Sequence, residues 1–267
     1  MTTPQTITFD ALAPIPYSQH GTIALTASAS SGLPVTYTSS DPSVVEVSGS
    51  TLIIRAVGSA NITASQSGDN TYEAAASVEQ TQQITIANQT ITFAALAPQT
   101  YSPNGTITLT ASASSGLPVT YASSDPSVVE VSGSTLIIRA VGSGSAIITA
   151  SQLGDNNYNA AASVQQTQQI TKANQTITFA ALAPQTYSPN GTITLTATAS
   201  SGLPVSYASN LETVVKVSGN NLIMKATGSA TITATQSGDN NYNAATLVER
   251  TQQIILITSI VFKFIQN

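Results

Sequence analysis

The chain has 267 residues, of which 7% are charged, with a formal net charge of -5 and neither cysteine nor tryptophan. Without cysteine it has no disulfide, thiolate metal site or cysteine nucleophile, and without a basic run it lacks the footprint that a phosphate backbone requires, so nucleic acid is excluded as a partner. Hydrophobic residues at 41% are ample for a core, and Thr, Ser, Asn, Gln and Ala carry the surface in place of the charged groups that make up about 25% of ordinary soluble domains.

The opening Met1-Thr2-Thr3-Pro4 lacks the basic and apolar regions of a secretory leader, which fits an intracellular chain or a piece of a longer one. Next comes Gln-Thr-Ile-Thr-Phe, starting at Gln5 and recurring at Gln89 and Gln175, spacings of 84 and 86 residues. The two extra residues fall near Gly144-Ser145. Leu25 to Ser59 matches Leu109 to Ser143 at every position except Thr38 against Ala122, so these copies share one fold. In the third copy Ser40-Asp41-Pro42-Ser43 becomes Asn210-Leu211-Glu212-Thr213, which marks a loop free to vary. The expected domains are 5–88, 89–174 and 175–258, each long enough to bury its own core, followed by an apolar tail, 259–267, that reads as a truncated fourth copy.

Along the second copy, a turn at Pro103-Asn104-Gly105 leads into Thr106 to Ala111, where apolar and polar residues alternate as in a half-buried strand. Turn chemistry follows at Ser115-Gly116-Leu117-Pro118 and Asp125-Pro126, then the alternating Val129-Glu130-Val131, another turn at Ser132-Gly133, and the loop Gly154-Asp155-Asn156-Asn157 before the last run, Gln169-Ile170-Thr171. No segment has a 3.6-residue apolar period with caps. About seven short strands per copy predict an all-β chain of three tandem two-sheet Greek-key β-sandwich domains. One hairpin is readable in detail: Val45 and Val47 face Leu52 and Ile54, while loops of two and of four residues both keep that face. Ile254 to Phe264, the longest apolar stretch, is too short for a spanning helix of about 20 residues.

The nine tyrosines form three aligned sets, Tyr17/101/187, Tyr37/121/207 and Tyr72/158/242, with Phe9/93/179 as a fourth ring. The expectation is that these rings fill the cores and that the tyrosine hydroxyls reach backbone at the sandwich ends. The alternative is a glycan-stacking platform at Tyr72, Tyr158 and Tyr242. Those tyrosines follow the sharpest polar constellation in the chain: Asp69 and Asn70, Asp155 and Asn156, Asp239 and Asn240. As calcium or ligand loops each offers one carboxylate, whereas calcium takes six to eight oxygens; as turns they need nothing more. His20, the single histidine, aligns with Asn104 and Asn190 and so sits at a replaceable turn position. It assembles no triad and no histidine metal site. Glu46 with Arg55, and Glu130 with Arg139, are outward pairs that become Lys216 and Lys225 in the third copy. No catalytic residue and no cofactor is expected, and an isopeptide crosslink lacks a lysine in the first copy.

Gln-Thr-Ile-Thr-Phe, then Leu-Thr-Ala-Ser-Ala-Ser-Ser-Gly-Leu-Pro-Val-Thr-Tyr, then Val-Ser-Gly before an apolar strand, and Ala-Thr-Ile-Thr-Ala-Thr-Gln-Ser-Gly-Asp-Asn-Asn-Tyr-Asn-Ala-Ala at 230–245 resemble tandem bacterial immunoglobulin-like domains of secreted and cell-surface proteins. The resemblance covers residues 5–258. It implies a seven-stranded sandwich without the immunoglobulin disulfide, placed outside the cell or on its surface, as a spacer or adhesive segment beside flanking domains. The junction Gln83 to Phe93 runs from one copy into the next without a Gly/Ser or Pro-rich linker, so neighbours are expected to be held closely. A non-catalytic structural spacer presenting another module is the expected role. The alternatives are an adhesive module that binds a protein or glycan through end loops, and an accessory array in a polysaccharide-processing enzyme.

Overall fold

The structure is a computed structural model that describes residues 1–256, so the tail at 259–267 lies outside the described residues. These residues form strands and turns and no helix, hence no helix long and apolar enough to cross a membrane. The contacts group them into two compact units. The first comprises Met1–Ala95, Leu109–Ala122 and Ile148–Gln166; the second takes in Leu96–Thr108, Ser123–Ile147 and the chain from Thr167 on. The first repeat lies wholly in the first unit and the third wholly in the second.

In the first repeat the strands are β1 (Ile7–Thr8), β2 (Ile15–Pro16), β3 (Thr22–Ala24), β4 (Ser28–Ala29), β5 (Thr36–Ser39), β6 (Val45–Ser48), β7 (Thr51–Ile54), β8 (Gly58–Ser65) and β9 (Val78–Thr85). One sheet has the order β2-β9-β8-β5, with β2 parallel to β9; the other is β3-β7-β6, and β1 pairs with β4. In immunoglobulin lettering β1 is A, β2 is A′, β3 and β4 are the halves of B, and β5 to β9 are C to G. The sheets are therefore ABED and A′GFC, which defines an immunoglobulin-like sandwich. The third repeat copies this order. The middle repeat runs through the same succession of strands. In the first unit its Ile91–Thr92 pairs with Ser112–Ala113; in the second, Thr106–Thr108, Thr135–Ile138 and Val129–Ser132 form the three-stranded sheet. The chain is thus three immunoglobulin-like β-sandwich repeats in tandem.

Alternation builds the core. β8 reads Gly-Ser-Ala-Asn-Ile-Thr-Ala-Ser, and Ala60, Ile62 and Ala64 point inward against Val45, Leu52, Ile54 and Ile84. The β6–β7 register is Val45↔Ile54, Val47↔Leu52 and Ser48↔Thr51, so the loop is the two residues Gly49-Ser50. Gly49 has φ 62 and Ser50 is not left-handed, the pattern of a type II′ turn, which settles the choice between two-residue and four-residue loops. Phe9 is buried and meets Tyr37 edge-on at 5.8 Å, while the Tyr37 hydroxyl donates to the Ala27 carbonyl at 3.3 Å. For these two rings the expected core role holds.

The signature glutamine is a buried hub. Gln5 Nε2 donates to Gln66 Oε1 at 2.7 Å and to the Glu73 carbonyl at 2.6 Å, and the Ser31 hydroxyl donates to Gln5 Oε1 at 2.5 Å. A second glutamine, Gln82, is fully buried and donates from Nε2 to the Ala13 carbonyl at 3.0 Å, tying the β1–β2 crossover to β9.

Candidate functional site

The loop between β8 and β9 and its counterparts are built by local capping. In the second repeat Asp155 Oδ1 accepts the Asn157 and Tyr158 amides at 2.8 Å each, and the Asp155 amide donates to the Tyr158 carbonyl at 3.0 Å. Gln152 Oε1 accepts the Gly154 amide. Gly154 has φ 78, and a Cβ there would overlap the Tyr158 carbonyl oxygen, so the position requires glycine. Asp69 and Asp239 make the same pair of bonds, to Thr71 and Tyr72 and to Asn241 and Tyr242. Each carboxylate thus caps its own turn, while Asn70, Asn156 and Asn240 stand exposed at the tips. Among the described residues no three His, Cys, Asp or Glu side chains gather closely enough to hold a metal ion.

Capping of this kind aims the next two side chains at the preceding repeat. In the first unit Asn157 Oδ1 accepts the backbone amide of Val57 at 3.1 Å, and the Tyr158 ring meets Tyr17 edge-on, centroids 5.3 Å apart at 88°. The linker residue Ala87 is buried, donates to the Asn157 carbonyl at 2.9 Å and accepts from the Asn159 amide at 2.8 Å. In the second unit Asn241 accepts from Val141 at 2.9 Å, Tyr242 meets Tyr101 at 5.5 Å and 90°, and Ala173 makes the equivalent pair of bonds. Lys172 Nζ adds a bond to the Asp239 carbonyl at 2.6 Å. In the first repeat's own loop Thr3 takes the linker position, bonded to Thr71 and Glu73.

Tyr158 and Tyr242 therefore serve the junctions and not their own cores, contrary to the sequence expectation for that set. The bonding of Asn157 and Asn241 was not foreseen at all. The available signal was small: these two copies read Asn-Asn-Tyr where the first reads Asn-Thr-Tyr. Burial, then the neighbouring Tyr17 and Asp155, raises the Tyr158 phenol above its ordinary value. Burial, then Tyr242 and Asp239, does the same to Tyr101.

The other candidates are peripheral. His20, Asn104 and Asn190 all adopt left-handed φ of 55 to 57, a turn conformation that Asn and His tolerate better than most residues. Glu46 pairs with Arg55 at 2.5 Å and Glu130 with Arg139 at 2.7 Å; all are well exposed, and in the third repeat Lys225 bonds Asn190 at 2.9 Å. Such exposed pairs contribute about 0–1 kcal/mol.

No family model and no curated protein matches the chain. Solved structures with similar chain traces include Drosophila N-cadherin EC1-4 (TM-score 0.31, 11% identity, 94% of this chain and 75% of that one). Others are the titin I-band fragment I67-I69 (0.32, 12%, 97% and 100%) and the S-layer protein rSbsC (0.30, 17%, 96% and 41%).

Proposed function

We propose that the chain is a non-catalytic structural spacer of an extracellular or cell-surface protein, of the bacterial immunoglobulin-like kind, in which residues 5–88, 89–174 and 175–258 fold as separate sandwiches and present another module. The observation that carries this reading is the junction lock. The same asparagine and tyrosine reach from each following repeat to the same amide and ring of the one before, with a linker residue clamped between. Such locks suit a segment whose task is to hold its neighbours in a defined relation. ¹⁵N relaxation tests the reading: locked repeats do not tumble independently across either junction, and an excised 89–174 fragment still unfolds cooperatively. Independent tumbling of the repeats would refute the spacer.

The second reading is adhesion through the first repeat's loop. There Tyr72 is half-buried with Asp69, Asn70 and Thr71 exposed beside it, and no ring partner meets it among the described residues. Glycan-array binding that is lost in Tyr72→Ala would favour this reading over a pure spacer.

A further inference from the structure

Each repeat holds its first strand as a plug in a socket, and the three fittings are alike. Gln5, Gln89 and Gln175 donate to Gln66, Gln152 and Gln236 at 2.7 Å in every case, and accept from Ser31, Ser115 and Ser201 at 2.5 Å. Ile7 and Thr8 pair with Ala29 and Ser28, as Ile91 and Thr92 pair with Ala113 and Ser112, and Ile177 and Thr178 with Ala199 and Thr198. Phe9, Phe93 and Phe179 meet Tyr37, Tyr121 and Tyr207 at 5.8, 5.8 and 5.7 Å. The plug sequence is identical in all three. The sockets differ at Thr198 for serine, at Arg250 for Gln80 and Gln166 as donor to the phenylalanine carbonyl, and at Glu73, Asn159 and Asn243, which offer the glutamine only a backbone carbonyl. No contact in the set lets a socket distinguish its own plug from another.

We propose that the chain associates with a second copy of itself by exchanging this first strand. Two ladder residues attach β1 to the sheet, and the segment from Asp10 to Pro14 then crosses to the opposite sheet at β2. That segment is the hinge. In a folded, dilute chain the tether keeps the resident strand at an effective concentration in the roughly millimolar range, so the closed form prevails. When chains fold together at comparable concentration, an incoming strand of the same sequence competes on equal terms and makes the same hydrogen bonds.

The absence of cysteine makes the test clean. Thr8 and Ser28 are exposed and face each other on the ladder, so chains carrying Thr8→Cys are mixed with chains carrying Ser28→Cys, unfolded, refolded together at high concentration and treated with a short bismaleimide. Exchange yields crosslinked heterodimer several-fold in excess of either homodimer. Thr92→Cys with Ser28→Cys does the same, because the plugs are interchangeable. The double variant Thr8→Cys/Ser28→Cys, refolded dilute, reports the closed form by crosslinking within one chain. Heterodimer no more abundant than homodimer overturns the proposal. So does a wild-type chain that stays monomeric by light scattering after refolding at every concentration, whatever the crosslinker gives.

Discussion

Asn157 accepts a hydrogen bond from the backbone amide of Val57, one hundred residues earlier, and Asn241 does the same to Val141 at the same separation. Neither asparagine acts alone. Its loop is set by an aspartate two residues before it, and the tyrosine immediately after it lays its ring against a ring of the preceding repeat. A turn cap within one repeat thereby becomes a fastening between two.

Asn157→Ala removes that acceptor and leaves the Val57 amide half-buried without its partner. A bond of this kind contributes about 1 kcal/mol, so hydrogen exchange at Val57 is expected to speed up about fivefold while the unfolding of each repeat scarcely changes. An unchanged exchange rate at Val57 would mean that the bond does not persist in solution.

The glutamine hub has a larger effect because it is buried. Gln89→Ala strands the Asn159 carbonyl and the Ser115 hydroxyl, both of which Gln89 now satisfies. The expected cost is about 1–3 kcal/mol, seen as a lower urea midpoint for the second repeat with an unchanged m-value. Gln165→Ala, on the outer face of the last strand, serves as the control and is expected to be nearly neutral.

The sandwich was legible because alternation, turns and the repeat all agree, and because the positions that alternate inward, such as Val45, Leu52 and Ile54, are those the core uses. The register of the β6–β7 hairpin was not, since a two-residue and a four-residue loop leave the same side chains inside. Nor was the destination of Tyr158. A tyrosine in a polar loop looks the same in sequence whether it turns into its own core or toward a neighbour. What decides is the loop's orientation, which Asp155 and Gly154 set through backbone geometry that periodicity does not record. The Asp69, Asp155 and Asp239 loops were legible as turns from residue type alone, because an aspartate that caps its own backbone needs no distant partner.

The aspartate that caps the turn after β5, replaced by Leu211 in the third repeat, sets an acid response. Asp41 Oδ1 accepts the Ser43 hydroxyl at 2.5 Å and its amide at 3.0 Å, and these bonds hold the carboxyl below the ordinary value of 3.8. Asp125 is lowered in the same way by Ser127. A depressed folded-state value means that the stabilisation is complete above about pH 4 and is lost as pH falls through the folded pKa. Carboxyl NMR should place both aspartates below 3.8, and Ser43→Ala should move Asp41 upward while leaving Asp125 in place.

The junction tyrosines set the opposite limit. Burial is the leading cause that raises Tyr101 and Tyr158 above 10, with a neighbouring ring and a loop aspartate adding to it. The unfolded chain ionises first as pH climbs past 10, so what these phenols contribute to stability is intact below that value and declines as pH rises through their folded pKa. Spectrophotometric titration of Tyr101→Phe and of Tyr158→Phe against the parent chain should therefore show, in each, the loss of one phenol that ionises above pH 10. Tyr158→Phe deletes one late phenol and keeps the ring against Tyr17, so the junction survives it. Tyr158→Ala deletes both the phenol and an edge contact of about 0.5–1.5 kcal/mol, and only this variant should free the first repeat's motion in relaxation measurements. Loss of a phenol that ionises at 10 or below in both variants would mean that the Tyr101 and Tyr158 rings are solvated and the junctions open.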